Sequence, residues 1–328
     1  MCYLLAVDIG GTKTLFQLST DQGEVILEQR FVSQNFNSFD LVLAEFLAQE
    51  QIKHFFIDSA CFAVAGPVLG RDAKVTNLPW QLNADDLANK FNIAHVHLCN
   101  DFVAVAQGID CLTDDEIITI QDGKPVENSP RAVIGAGTGL GQAILLPECD
   151  GWRVIPTEGG HTDFAPTNRL QILLLEYLIE HFGHASYERI VSGPGLVIIY
   201  QFLRTYQQYD ENPELRQTMI DDDPGAAISL FANKYQDKLA IEAVDLFVQI
   251  YGAQAGNFAL NTLPRAGLYI AGGIAAKNLA KFKQGIFMDA FVAKGKMTSL
   301  MKTIPVKLIL QSKVGLMGAR LLVQQSIV

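Results

Sequence analysis

A chain of 328 residues is too long for one ordinary compact core and about right for two α/β units. With 49% hydrophobic and only 18% charged residues, it is excluded from the disordered class. A formal net charge of −10 argues against broad nucleic-acid binding, because an acidic surface repels a phosphate backbone.

The first segment, YLLAVDIGG, predicts an apolar strand ending in a glycine turn. Two β-rich runs around the Asp21–Gln22–Gly23 turn predict a hairpin. FDLVLAEFLAQEQ has helical spacing, FFIDSACFAVAGPV reads as a buried strand leaving through Gly66–Pro67, and NADDLANKF as a short helix with Asn83 as N-cap. HVHLCNDF is a strand stopping at Asn100–Asp101, where FVAVAQGI opens a helix. A second unit begins with RAVIGAGTGLGQAILLPECDGWRVIPTEGG, read as three strands joined by a glycine turn and an Asp-Gly turn. LQILLLEYLIEHFG predicts a helix with Leu170, Leu173, Leu174, Tyr177, Leu178 and His181 on one face, stopping at Gly183. LVIIYQFLRTY and IEAVDLFVQIYGAQAGNFAL are further helices, GLYIAGGIA and PVKLIL are strands, and VGLMGARLLVQQ is a final helix.

A coarse internal repeat runs through this order. An apolar strand meets a threonine-bearing glycine turn at DIGGTKT and again at GAGTGLG, each followed by a hairpin partner. A duplicated α/β unit binding a nucleotide would give that pattern.

The two turns have a shared chemistry. Gly10 and Gly11 allow the backbone to approach an anion, with exposed N–H groups and the Thr12 hydroxyl as donors, and Asp8 at the strand end is placed to hold Mg²⁺ through water. An ordinary hairpin turn is the competing reading of a lone GGT, and no GxxxxGK(S/T) phosphate loop is present. Gly137–Thr138 lies in a run of four glycines in seven residues; the strand-like QAILL behind it counts against a dinucleotide fold. Gly272–Gly273 is either a third close-approach point, beside the adenosine, or simply a turn opening a helix.

Asn100–Asp101 has two readings: an Asx cap for the following helix, or an amide that binds a hydroxyl beside a carboxylate that accepts its proton. Glu158 and His161, separated by two glycines, can converge on adjacent hydroxyls, whereas Glu188 taken alone reads as a surface residue. The five cysteines, Cys2, Cys61, Cys99, Cys111 and Cys149, lack zinc spacing and are expected as free, mostly buried thiols of a reducing compartment. The N-terminus has no basic region and its apolar stretch is broken at Asp8, so neither a signal peptide nor a membrane anchor is expected, and a cytoplasmic protein is.

The strings DIGGTKT, FAVAGPV, TNLPWQL, CNDFVAVAQG, IGAGTGLGQA, EGGHTDFAP, YERIVSGPGL, LYIAGGIA and GLMGA, in order from residue 6 to 319, resemble the bacterial hexose-specific glucokinase family of the sugar kinase and actin superfamily. The resemblance implies a two-lobed, actin-like (ribonuclease H-like) α/β fold with mixed sheets, flanking helices and a central cleft. Residues 1–110 would form a small domain joined by the C-terminal helix (about 302–328), and residues 111–301 a large one. It implies that Asn100, Asp101, Glu158, His161 and Glu188 bind D-glucose with Asp101 as base. ATP phosphates would meet Gly10, Gly11, Thr12, Lys13, Thr14, Gly137 and Thr138. It also implies a homodimer. Lys13 is more basic than the residue in some members and is shared with the related repressor/ORF/kinase family, whose cysteine-rich zinc motif is missing after His161, so ATP and Mg²⁺ but no zinc are expected. The expected activity is transfer of the ATP γ-phosphoryl group to the glucose 6-hydroxyl. The alternatives are a kinase of another hexose or amino sugar, a sugar-sensing regulator, disfavoured because no helix-turn-helix precedes the first strand, and a filament-forming or chaperone-like ATPase that would ignore sugar.

Overall fold

The computed structural model describes residues 2–325; Met1 and residues 326–328, the end of the expected C-terminal segment, lie outside the described residues. The chain divides into two compact units, one of Met1–Asp114, Val154–Pro156 and Gln311–Val328, the other of Asp115–Arg153 and Thr157–Leu310.

The first unit is built on strands β1 (Tyr3–Ile9), β2 (Lys13–Thr20), β3 (Val25–Val32) and β4 (Ser59–Val64). A small sheet of β5 (Val68–Leu69), β6 (Asp72–Lys74) and β7 (Gln81–Asn83) follows, then β8 (His95–Asn100). The main sheet has the order β3-β2-β1-β4-β8, with β1 antiparallel to β2 and parallel to β4, and β4 parallel to β8. Strand alternation splits its apolar residues between two faces. Leu5, Val7, Ile9, Ala60, Phe62 and Val64 pack with Phe39, Val42, Leu43 and Phe46 of the helix Phe39–Leu47. Leu4, Ala6, Cys61 and Ala63 pack with Ala104 of Asp101–Gly108 and with Leu316, Ala319 and Val323 of Val314–Gln325. These two helices touch backbone to backbone: a Cβ at Gly318 would lie 1.8 Å from the Ala104 carbonyl oxygen. Asn83 caps the helix Ala84–Phe91, its Oδ1 accepting from the N–H groups of Asp85 and Asp86. At β8, which ends the sheet, the Arg71 guanidinium donates to the Val96 carbonyl at 3.0 Å.

The second large sheet holds β9 (Ile117–Gln121), β10 (Arg131–Ala136), β11 (Leu140–Glu148), β12 (Gly151–Thr157), β13 (Gly267–Ala271) and β14 (Val306–Ile309), in the order β12-β11-β10-β13-β14-β9. Its first five strands repeat the order and directions of the first sheet: antiparallel β10–β11, then parallel β10–β13 and β13–β14. The repeat read from two glycine turns is thus a repeat of strand topology. Both sheets belong to mixed α/β units of the actin-like ATPase fold. The long helix Lys238–Thr262 is buried over much of its length, and its Tyr251 hydroxyl pins the end of β10, donating to the Ile134 carbonyl and accepting from the Ala136 N–H, each at 3.2 Å.

Two expectations change, and some elements had none. The helix Arg169–Phe182 buries Gln171, Leu174 and Leu178, whereas His181 is exposed. Gln171 goes inside because its amide is satisfied there by Thr167 and Gln249. Strand β9 and the run of short helices between 213 and 301 had no clear sequence signal. All five cysteines are free, but only Cys61 is fully buried and Cys149 is exposed.

Candidate active site

In the first unit the turn between β1 and β2 is closed by the Gly10 N–H donating to the Lys13 carbonyl at 2.9 Å. Ser33 holds it from behind: its N–H donates to the Thr12 carbonyl at 3.0 Å and its hydroxyl to the Gly10 carbonyl at 2.8 Å. Thr14 is fully buried with its hydroxyl 3.0 Å from that of Ser33, so its side chain braces the turn. Thr12 is exposed. A Cβ at Gly11 would lie 3.1 Å from the Asn77 Cβ, which brings the TNLPWQL segment against the turn. Trp80 of the same segment is buried among the core aromatics, its indole N–H donating to the Phe36 carbonyl at 3.1 Å.

Asp8 continues the β1 row of Leu4 and Ala6 and so faces the two packed helices. Its Oδ2 would lie 3.1 Å from a Cβ at Gly315, in the first turn of Val314–Gln325. Burial pushes the Asp8 carboxyl above its ordinary value, and Lys13 offsets part of that rise. In register, Asp8 lies beside Ala63 and Ala63 beside Cys99, so β1, β4 and β8 end together with Asn100 and Asp101 one step further on. The Cys99 thiol is held well above its ordinary value, first by its contact with the Cys61 sulfur at 3.8 Å, then by burial, then by the neighbouring Asp101 and Asp8 charges.

Of the two readings of Asn100–Asp101, the cap is what the structure shows. Asn100 is the N-cap, its Oδ1 accepting from the Phe102 N–H at 2.9 Å while its Nδ2 donates to the Gly66 carbonyl at 3.1 Å. Asp101 is the first helical residue, with Oδ1 2.9 Å from the Phe102 nitrogen. Because Asn100 does the capping, the carboxylate is held in the helix's first turn, where the backbone favours negative charge.

In the second unit, the β10–β11 turn leaves Gly137 and Thr138 exposed, with the Gly137 N–H donating to the Gly139 carbonyl at 2.8 Å. The Gly193 N–H, opening the helix Gly193–Gln207, donates to the Gly137 carbonyl at 2.8 Å. Gly272 has φ +91° and would place a Cβ 2.3 Å from the Ala136 carbonyl oxygen, so only glycine fits there. Gly137–Thr138 and Gly272–Gly273 therefore meet at the ends of the neighbouring parallel strands β10 and β13. A Cβ at Gly137 or Gly273 would touch nothing within 4 Å, leaving bare backbone open to a ligand. Gly272–Gly273 also opens the short helix Gly273–Lys277, as its reading as a helix-opening turn expected.

The structure brings Glu158, His161 and Glu188 together. His161 Nε2 lies 3.9 Å from Glu158 Oε2, and its Nδ1 3.7 Å from Glu188 Oε1. The other Glu188 oxygen accepts from the Leu140 N–H at 3.0 Å, and a Cβ at Gly139 would lie 2.5 Å from it. Gly160 is needed because the Leu140 carbonyl oxygen would sit 2.1 Å from its Cβ. Glu188, the most surface-like of the three by sequence, is thus seated on the back of the glycine turn. Two carboxylates and an imidazole over exposed backbone form an acceptor-rich surface suited to a polyhydroxylated ligand, beside loops suited to phosphate.

A glucokinase family model matches residues 5–326. The chain belongs to the glucokinase family. The glucokinase of Nostoc sp. is 43% identical over 98% of both chains. Among solved structures, the glucokinase of an Antarctic psychrotroph is similar with a TM-score of 0.79 and 29% identity, covering 99% of each chain. A ROK-family glucokinase from Streptomyces griseus, in complex with glucose and AMPPNP, shares the fold with a TM-score of 0.68 at 19% identity, covering 98% of this chain and 99% of that one.

Family membership leaves the metal question to the residues themselves. Among the described residues no group of three or more His, Cys, Asp and Glu could hold a metal ion. Asp8 offers a single carboxylate near the end of β1, and an ion that keeps several waters and takes one or two carboxylates along with substrate phosphates is compatible with it. Among the described residues no helix is long and apolar enough to cross a membrane. Sequence reasoning missed Asn77, Ser33 and Gly193 as supports of the two turns. SGPG was the available signal for Gly193, as a capped helix start beside a glycine.

Proposed function

We propose that the chain transfers the γ-phosphoryl group of ATP to the 6-hydroxyl of D-glucose, giving glucose 6-phosphate and ADP. The observation that carries this reading is the convergence of Glu158, His161 and Glu188 on a glycine turn whose other side is open backbone. The Streptomyces griseus glucokinase, in complex with glucose and the ATP analogue AMPPNP, supports the substrate pair.

In this reading Asn100, Asp101, Glu158, His161 and Glu188 bind glucose. Asp101 accepts the proton of the 6-hydroxyl as the phosphoryl group arrives. The N–H groups of Gly11, Thr12 and Lys13 and the Thr12 and Thr138 hydroxyls hold phosphate oxygens, while Gly10 and Gly137, whose N–H groups close their own turns, let the phosphates come near. Thr14 serves as a brace of the first turn, and Gly272–Gly273 borders the adenosine. Mg²⁺, when bound, neutralises charge on the β- and γ-phosphates, and Asp8 holds one of its waters. The protein has little covalent chemistry to perform, so positioning and fixed dipoles supply most of the rate. The family resemblance further supports a homodimer of the cytoplasm acting at the head of glycolysis, and the net charge of −10 supports the absence of a nucleic-acid partner.

The test is sugar-dependent ADP release with glucose, mannose, glucosamine and N-acetylated hexoses. Glucose should give the highest kcat/KM. ADP release that ignores sugar would sink the kinase reading, and a preference for an amino sugar would change its substrate.

A further inference from the structure

The hexose-binding cluster is backed by a chain of hydrogen bonds that begins at a half-buried lysine. Lys294 follows the helix Ile286–Val292 and reaches the long helix Lys238–Thr262, where its Nζ donates to the Ala253 carbonyl at 2.8 Å and to Asn257 Oδ1 at 2.6 Å. No carboxylate pairs with it among the described residues, and burial lowers its ammonium below the ordinary lysine value. An ammonium has donors only, so it fixes which end of the Asn257 amide faces it. The Asn257 Nδ2 must then point away, and it donates to the Tyr187 hydroxyl at 2.9 Å and to Gln254 Oε1 at 3.3 Å. With its oxygen occupied, the buried Gln254 turns its Nε2 to the Gly159 carbonyl at 3.5 Å. Every donor in the chain therefore runs outward from the lysine. It ends on Tyr187, the residue before Glu188, and on Gly159, the residue after Glu158.

We propose that Lys294 is a positioning residue for hexose binding, setting through Asn257 the placement of Tyr187–Glu188 and of the Glu158–Gly159 turn. The proposal rests on the reading of Glu158, His161 and Glu188 as the hexose set. Lysine does this work where a neutral donor would not, because it has no acceptor face and so cannot tolerate the flipped amide. Without it, Asn257 can present its oxygen to Tyr187 or Gln254, and the outward donors are lost.

Two variants separate positioning from bulk stability. Lys294→Met keeps the stem and removes the ammonium. Asn257→Asp keeps an acceptor for Lys294, with a full charge pair gained, but removes both outward donors. Each is expected to raise the KM for glucose about tenfold while the KM for ATP stays within about twofold, and the double variant to be no worse than the worse single one, because the two act in one network. A folded Asn257→Asp protein with the glucose KM of the wild type overturns the proposal, even if Lys294→Met fails to fold. Equal movement of both KM values overturns it as well. A wild-type enzyme that binds and phosphorylates no hexose overturns the underlying hexose reading instead.

Discussion

Gly139→Ala is the sharpest probe of the proposal that the second glycine turn seats a hexose-binding carboxylate. Its Cβ would fall 2.5 Å from Glu188 Oε2 and 3.2 Å from the carboxyl carbon. Relieving that overlap moves the oxygen back by about 1 Å, which takes its 3.0 Å bond with the Leu140 N–H beyond hydrogen-bond range. A hydrogen bond to a charged group contributes about 1.5–3 kcal/mol. Glu188 displaced from its seat should also lose its bond to the hexose, and a charge-assisted bond of that strength corresponds, at about 1.4 kcal/mol per decade, to roughly 10- to 100-fold in glucose affinity. The same lost bond should also show in the fold, as a stability cost of up to about 1.5–3 kcal/mol and a lowered Tm, although the clashing atom is the end of a flexible side chain. Gly137→Ala, two residues away, meets no atom within 4 Å and serves as the control, raising the KM for ATP and leaving that for glucose. The assay is initial-rate kinetics with each substrate varied, together with a thermal melt. A glucose KM within about twofold of wild type in a folded Gly139→Ala protein would refute the view that Glu188 is seated on the turn.

Three further outcomes are expected. Asp101→Ala should lose about 10²-fold or more in kcat while hexose affinity stays within about tenfold; near-normal turnover would remove Asp101 from the role of base. Burial raises the folded-state value of Asp8, so its ionised form weighs against the fold increasingly as pH climbs through that raised value, and the burden vanishes in acid. Asp8→Asn should accordingly raise Tm at neutral pH, lose that advantage by about pH 3, and lower Mg²⁺-dependent activity; a lower Tm at neutral pH would contradict the sign. Gly318→Ala must push a Cβ against the Ala104 carbonyl oxygen at 1.8 Å and should cost about 3 kcal/mol, seen as a drop in Tm, whereas an unchanged Tm would mean the two helices separate freely.

What could be read in the sequence was what lies within a few residues. An apolar run followed by glycine and threonine specifies a strand and its turn, and Asn83 specifies the start of a helix, because each signal involves neighbours in the chain. The repeat of strand order followed from two such turns. By contrast, Glu188 gained its place from Gly139 and Leu140, about fifty residues away, and its local sequence carried only a surface-like glutamate. The family resemblance set Thr14 beside Thr12 among the phosphate contacts, and nothing in GGTKT reveals that Ser33 holds the Thr14 hydroxyl inward. Gln171 and Lys294 broke the polar-outside rule for the same reason: their partners, Gln249 in one case and Ala253 with Asn257 in the other, come from distant helices. The family strings supplied the missing long-range information for the hexose set, but not for the residues that stand behind it.

The contact between Arg71 and the Val96 carbonyl has a bearing on how the protein survives its own synthesis. A sheet that ends on an unpaired strand offers its backbone to any other extended chain, and such pairing is how partly made proteins clump. The second sheet has β9 beyond β14, whereas the first ends on β8. Both members of the guard on that strand are made within the first hundred residues, and Asp85, which pairs with Arg71 at 2.5 Å, is made with them. The first sheet can therefore close one rung of its open side while the rest of the polypeptide is still being translated. On a crowded ribosome, Arg71→Ala should show as lost soluble yield rather than as lost activity of whatever protein folds.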